Sequence, residues 1–191
     1  MIGVSMEGFP VLEGDRVRVR PLRGGDQADL LALRGDPRTA VYQSWTRFEA
    51  ADAAKMIDEA GRSPLDAPGC WSQGGFATID DDRLIGDCAF HCPAEDIAQA
   101  EIGFNLTAGL RGRGYASEAV GLLVDWLFSA RGKRRIFAVT DRRNEPSRRL
   151  LRRLGFCAVP AAYRLVYFKG EWEGEAVYER TAAPHAAGVS G

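Results

Sequence analysis

The stretch that most narrows what this chain can fold into runs from Glu101 to Ala130, where an alternating segment, a glycine turn and an apolar-periodic segment follow without slack. Glu101, Gly103 and Asn105 alternate with Ile102, Phe104 and Leu106, the period of a strand with two different faces. Val120, Leu123, Val124 and Leu127, with Ala116, Ala119 and Trp126 beside them, recur at the spacing of one helix face, and Gly132 marks its expected end. Between the two lies Leu110-Arg111-Gly112-Arg113-Gly114-Tyr115-Ala116-Ser117. Gly112 and Gly114 allow backbone conformations that a Cβ forbids and bring N–H groups close to a ligand. Those groups open a helix whose first-turn donors are unpaired and carry the positive end of the dipole, so the turn reads as an anion site. Arg111 and Arg113 add full charges. Glycines and arginines alone would equally suit a solvated loop, so the rest of the chain has to decide.

At 191 residues the chain is long enough for one domain that buries about 70% of its unfolded surface without staples. Cys70, Cys88, Cys92 and Cys157 are unevenly spaced and no secretory signal opens the chain, which points to a reducing cytoplasm. No apolar run approaches the roughly 20 residues that cross a bilayer, so no membrane partner is expected. A net charge of −1 argues against a dedicated nucleic-acid binder, although ten of the 25 basic residues fall between 131 and 153. Within that cluster Arg148, Arg149, Arg152 and Arg153 suit a solvated helix face or an anion field, and no aromatics are interleaved as nucleic-acid stacking would need. Asp80-Asp81-Asp82 reads as a solvated hairpin turn rather than a metal site, since neighbouring side chains point apart. Strand periodicity sets Cys88 and Cys92 on one face and His91 on the other, so no zinc set forms and no metal is expected.

Residues 11–182 make up the expected domain, with 1–10 and 183–191 as flexible termini. Val11 to Pro21 reads as a strand with Val17 and Val19 on one face and Arg16, Arg18 and Arg20 on the other. Asp26 is the expected N-cap of a helix carrying Leu30, Leu31 and Leu33, closed by Gly35 and Pro37. Tyr42-Gln43-Ser44-Trp45 is a connection whose aromatic pair either lids the core or walls a substrate. A helix over 50–60, a hairpin of strands over 71–79 and 84–92, and the strand–turn–helix unit follow. A strand over 135–140 leads to a short helix capped by Asn144 or Glu145, with Pro146 in its first turn and Gly155 at its end. Two strands, about 158–168 and 175–181, finish the domain. The order β-α-α-β-β-β-α-β-α-β-β predicts an α/β (α+β) fold, a twisted mixed sheet of about seven strands flanked by about four helices.

Arg111-Gly112-Arg113-Gly114-Tyr115-Ala116 resembles the phosphate-binding motif of the GNAT acetyltransferases: arginine or glutamine, two residues, glycine, one residue, glycine or alanine. Phe104-Asn105-Leu106 resembles that family's splayed strand, and Asn144-Glu145-Pro146-Ser147 with Leu154-Gly155-Phe156 resembles its later segment. Leu12 to Leu22, and Lys169-Gly170-Glu171-Trp172 through Val177-Tyr178-Glu179, resemble the RimJ/RimL branch of ribosomal-protein N-terminal acetyltransferases. A P-loop would need Gly-Lys-Ser or Gly-Lys-Thr where Gly114-Tyr115 stands, and a dinucleotide fold a third glycine where Ser117 stands.

The resemblance implies acetyl-coenzyme A as cosubstrate, with its pyrophosphate on the backbone of Arg111, Gly112, Arg113, Gly114, Tyr115 and Ala116. It implies that Phe104, Asn105 and Leu106 hold the pantetheine arm like an extra strand, that Asn144 reaches the same arm, and that Ser147 belongs to the site. Transfer in the family is direct, with backbone donors stabilising the oxyanion and no acyl-enzyme cysteine. The amine must be neutral: an α-amine with a pKa of about 7.7–8.0 needs roughly 1.4 kcal/mol at pH 7, a lysine near 10.4 about 4.6 kcal/mol. Glu101 is the candidate general base through water, with an exposed strand carboxylate as its alternative. Many members carry a tyrosine seven residues after the motif asparagine; here that position is Leu151, which leaves Ser147 as proton donor or as a mere helix cap. Tyr42 and Trp45, with 169–174, border the expected acceptor pocket. The acceptor is then a protein N-terminal α-amine or a small-molecule amine such as an amino acid, polyamine or aminoglycoside. A coenzyme A-binding sensor or adaptor is the alternative, and a homodimer is compatible with either.

Overall fold

The structure is a computed structural model and describes residues 8–182. Apart from Gly8, Phe9 and Pro10, the expected flexible termini lie outside the described residues, and Phe9 is buried against Phe90 and Trp126. Among the described residues nine strands form one sheet: β1 (Leu12–Glu13), β2 (Val17–Arg20), β3 (Trp71–Thr78), β4 (Leu84–His91), β5 (Gln99–Leu106), β6 (Arg135–Asp141), β7 (Cys157–Ala158), β8 (Arg164–Phe168) and β9 (Glu171–Thr181). Their order is β1-β2-β3-β4-β5-β6-β9-β7, with β8 hanging from β9. All pairs are antiparallel except β5 with β6, which run parallel. The helices are α1 (Gln27–Arg34), α2 (Pro37–Ala40), α3 (Ala50–Arg62), α4 (Tyr115–Ser129) and α5 (Glu145–Arg153).

The mixed sheet and helix order are those expected, and the additional elements are short. Gly14 donates to Val17 and folds the first strand into the β1–β2 hairpin, while β7 is a two-residue strand on β9. Pro37 ends α1 as expected and also starts α2, because Asp36 accepts from the Arg38 N–H as an N-cap.

Arg20, on the strand face opposite Val17 and Val19, is only 1% exposed. It makes a bidentate pair with Asp26 at 2.8 and 2.9 Å, and its Nε donates to Asp82 at 2.9 Å. Asp26 therefore does not cap α1 with its side chain; its carboxylate accepts from the Arg20 guanidinium and the Arg23 N–H. The face of β2 that carries Arg20 is covered by the approach to α1 and by the β3–β4 turn, so its charge has to be answered locally.

Helix α4 carries the main core. Ala119, Val120, Leu123, Val124 and Leu127 are all 0% exposed and pack with Phe76, Phe90, Ile102 and Ile136 from the sheet. Each fully buried leucine contributes about 1.5–3 kcal/mol relative to exposure. A second cluster, Leu22, Leu30, Leu33, Ala53 and Leu84, sits beneath α1 and α3. Among the described residues no helix is long and apolar enough to cross a membrane.

Candidate active site

Strands β5 and β6 pair only at Gln99↔Arg135, Ala100↔Ile136 and Glu101↔Phe137, then part. On its other edge β5 stays bonded to β4 as far as Leu106, and β6 stays bonded to β9 as far as Asp141. A cleft of about 650 Å³ opens between the separated edges, walled by Phe104, Asn105 and Leu106 on one side and Val139, Thr140 and Asp141 on the other. That volume lies within the usual range for small-molecule sites.

The glycine turn forms one end of this cleft. Gly112 and Gly114 adopt φ of +76° and +88°, and Gly114 is the N-cap of α4. A Cβ on Gly112 would meet only open space, so the left-handed backbone rather than crowding is what favours glycine there. Among the described residues, nothing accepts from the N–H groups of Gly112, Arg113, Gly114, Tyr115 or Ala116, whereas Arg111 N–H donates to Ala108 at 3.3 Å. Five adjacent backbone donors at a helix start make an anion cradle.

Two residues that local sequence does not mark hold this turn in place. Arg16 Nη1 donates to the Arg113 carbonyl at 3.0 Å, and the Glu118 carboxylate accepts from Arg16 N–H at 2.7 Å, Arg16 Nε at 3.0 Å and Val17 N–H at 3.3 Å. Partial burial pushes the Glu118 carboxyl up, but the bonds from Arg16 and Val17 outweigh it and hold it below the usual carboxylate range. A glutamate in the first turn of α4 is the only local signal; its partner lies 102 residues upstream.

The arginines divide by what they touch. The Arg111 guanidinium donates at 3.3 Å to the Leu106 and Arg38 carbonyls and to Thr39 Oγ1, tying β5 to α2 at the cleft wall. Arg113 and Tyr115 lie outside the cleft lining, and the Tyr115 ring sits 4.9 Å from the Arg16 guanidinium. Arg149 and Arg153 line the cleft, and Arg153 also donates to Ser117 Oγ at 3.1 Å. Arg148 and Arg152 turn away to Tyr178 Oη, each at 3.1 Å.

Helix α5 brings Asn144 and Ser147 to the same cleft. Asn144 is the N-cap, its Oδ1 accepting from Ser147 N–H at 3.3 Å. Among the described residues neither Ser147 Oγ nor Asn144 Nδ2 has a hydrogen-bond partner, so both polar groups are available to a ligand. Leu151 is 0% exposed within the core, so that position presents no hydroxyl to the cleft.

Glu101 occupies the point where β5 and β6 part, being the last β5 residue paired with β6. It is half-buried and outside the cleft lining, whereas Gly103, one pleat further, lines the cleft. Burial pushes its carboxyl above the usual range, opposed by His91 and Arg164 and reinforced by Glu175. Asn105 lines the cleft with its strand, but its side-chain amide is engaged by Asp87 at 2.8 Å.

Tyr42 lines the cleft and donates to the Arg143 carbonyl at 3.4 Å. Trp45, expected beside it, is outside the cleft lining and turns to the end of α1: its Nε1 donates to the Arg34 carbonyl at 3.0 Å and its ring lies 4.4 Å from the Arg34 guanidinium. Its backbone still matters, because Lys169 at the tip of the β8–β9 hairpin donates to the Trp45 carbonyl at 2.8 Å and the Ala40 carbonyl at 2.6 Å. Cys88 and Cys92 are buried and Cys70 and Cys157 exposed, none lines the cleft, and burial pushes the Cys88 thiol well up. Among the described residues no group of three or more His, Cys, Asp and Glu is arranged to hold a metal ion.

A family model described as an acetyltransferase (GNAT) domain matches residues 16–157. The uncharacterized N-acetyltransferase YoaA of Bacillus subtilis (strain 168) is 32% identical over 149 residues, 78% of this chain and 83% of that protein. The crystal structure of a GNAT-family acetyltransferase from Bacillus anthracis superposes with a TM-score of 0.78 at 21% identity, covering 90% of this chain and 98% of that one. RimL, a ribosomal L7/L12 alpha-N-protein acetyltransferase solved with coenzyme A, superposes with a TM-score of 0.73 at 16% identity, covering 90% and 98%. A family match over most of the chain and a relative above 30% identity leave one conclusion: the chain belongs to the GNAT acetyltransferases and is an acetyl-coenzyme A-dependent enzyme.

Proposed function

We propose that the chain is a RimJ/RimL-like N-acetyltransferase that moves an acetyl group directly onto a primary amine, either a protein N-terminal α-amine or a small-molecule amine. The observation that carries this reading is the parting of β5 and β6 beyond Glu101, directly beside a helix start with five open backbone donors. The open donors and the unpaired strand edge suit a phosphate and an amide-bearing arm. In this reading the backbone of Gly112 to Ala116 holds the pyrophosphate, Phe104 to Leu106 and Asn144 hold the arm, and Arg149 and Arg153 supply positive field for a further phosphate. When bound, acetyl-coenzyme A supplies the activated acyl carbon, and the products are an N-acetyl amine and free coenzyme A thiol.

The protein's own residues then manage protons and access. Glu101, half-buried at the parting point, draws the proton from the acceptor amine through water; its raised pKa brings it closer to the working range of a general base. Ser147, with a free hydroxyl in the cleft wall, is the proton donor toward the departing sulfur, the role that Leu151 cannot fill. Tyr42 and the β8–β9 hairpin border the acceptor end.

Leu151 also favours a second reading, a coenzyme A-binding sensor without turnover. Calorimetry with coenzyme A, paired with thiol release across an amine panel, tests both. Binding with amine-dependent thiol release is the expected result; binding without release would replace the enzyme by the sensor, and no binding would remove both.

A further inference from the structure

We infer that His91 is a positioning residue for Glu101 that carries away the proton released in each turnover; this rests on the proposed role of Glu101 as the base. At neutral pH the acceptor arrives as an ammonium, R–NH3+. One turnover converts it and acetyl-coenzyme A into the N-acetyl amine, coenzyme A thiol and one proton. The N–C bond forms as the C–S bond breaks. Of the two protons that leave nitrogen, one ends on sulfur and the other has to reach bulk water. A half-buried carboxylate that accepts this second proton must hand it on before it can act again.

The register of the sheet restricts what can take it. His91 of β4 pairs with Glu101 of β5. Side chains paired in this way share a face with Cβ atoms about 4.5–5.5 Å apart, within reach directly or through one water. Trp71 of β3 pairs with His91 on the other side, and its ring lies 5.2 Å from the imidazole. A Cβ on Gly103 would meet the same ring at 4.0 Å, so the indole spans from His91 to a strand position that lines the cleft. Beside it His91 is half-buried, and its Nδ1 is buried with no hydrogen-bond partner. Buried polar atoms are normally paired, whereas this nitrogen is free to take or give a proton.

The other groups around Glu101 cannot take the proton. Arg164 acts on it from β8 and Glu175 from β9. A guanidinium keeps its proton at any working pH, and Arg164 Nε donates to Glu175 at 2.6 Å, which engages that carboxylate. Phe137, the partner of Glu101 in β6, has no proton to exchange. Histidine is the one side chain in this set that changes charge between pH 5 and 8. Passage of the proton from Glu101 to the imidazole leaves a carboxylate beside an imidazolium, a pair that favours the ionised acid. Solvent then takes the proton from the ring and Glu101 is ready again.

Thiol release by the full-length protein tests this in weakly buffered solution at pH 7, with saturating acetyl-coenzyme A and alaninamide, trialanine amide or n-butylamine as acceptor. His91→Ala removes the ring and leaves a space that free imidazole can enter, while His91→Gln removes the titratable group and fills the space. Each is expected to lower kcat about tenfold, less than a group in direct contact with the reacting atoms gives, with coenzyme A affinity by calorimetry within about twofold. Added imidazole is expected to raise kcat of His91→Ala about fivefold, to raise His91→Gln less, and to leave the native protein unchanged. Because the gain is read within one variant, partial misfolding does not imitate it. The double variant with Glu101→Gln should be no slower than Glu101→Gln alone, since the two residues act in series. A kcat unmoved by both His91 substitutions, or lowered but not restored by imidazole, overturns the inference while leaving acetyl transfer standing. Rescue of His91→Ala beside an undiminished Glu101→Gln overturns the link between the two residues. No thiol release by the native protein with any of the three amines overturns the inference and the proposed transfer together.

Discussion

Gly114→Asn and Gly114→Asp together isolate one charge at the proposed phosphate cradle. Gly114 holds φ of +88° at the N-cap of α4. Asn and Asp enter the left-handed region more readily than other side chains, at a cost within about 1–2 kcal/mol, and both serve as N-caps. The variants thus share shape and backbone cost. A Cβ there approaches Arg16 Nη2 at 3.0 Å in both variants, and pairing of the aspartate with that guanidinium offsets part of its added charge. What differs is a carboxylate beside the five open donors. Against a phosphate charge about 4 Å away, one such charge costs about 4 kcal/mol at an effective dielectric near 20 and about 1 kcal/mol at that of water. An open cleft mouth lies between these limits, and a penalty of about 2 kcal/mol corresponds to roughly 30-fold in affinity. Isothermal calorimetry with coenzyme A is expected to show Gly114→Asp binding about 30-fold more weakly than Gly114→Asn in 50 mM salt, with the gap closing at 500 mM. Thermal melts without ligand should show the aspartate variant no less stable, since a negative charge at a helix start is favourable. Equal coenzyme A affinity for the two variants would mean that no anion sits on this turn.

Two further substitutions probe catalysis and stability. Because burial raises the Glu101 carboxyl, its basic form is lost as pH falls through that raised value, so kcat/KM should have an acid limb above the ordinary glutamate pKa of about 4.3. Glu101→Gln should lower turnover and remove that limb while coenzyme A affinity stays within about twofold; an unchanged limb takes Glu101 out of the mechanism. Asp26→Asn leaves Arg20, 1% exposed, with Asp82 as its remaining ion-pair partner, and should cost about 3 kcal/mol by urea unfolding, the low end for a broken buried pair. A loss below 1 kcal/mol would show that Asp82 alone satisfies the guanidinium.

What local spacing encodes was legible, and what distant chain segments decide was not. The α4 face was readable because Val120, Leu123, Val124 and Leu127 repeat at helical period, and the turn because its glycines bear positive φ. Asn144 and Ser147 reach the cleft through a cap that short-range pattern announces. Arg16 and Glu118 escaped notice because their meeting depends on β2 running past the start of α4. Alternation separated Arg20 from Val17 and Val19 but could not show that its own face is covered as well. Trp45 and Tyr42 stand three residues apart, yet Arg34 draws one ring to the helices while the other lines the cleft. Arg111 has the charge expected of it, but the carbonyls of Leu106 and Arg38 engage it.

The parting of β5 and β6 has a mechanical meaning beyond the room it makes. The sheet is in effect two panels, β1 through β5 and β6 through β9, stitched along a seam three residue pairs long. Each panel is laced internally by longer ladders: β4 with β5 over six pairs and β6 with β9 over seven. A guest that hydrogen-bonds along the open edge lengthens the stitching itself. Filling the cleft along that edge would thus tie the two panels together as well as hold the ligand.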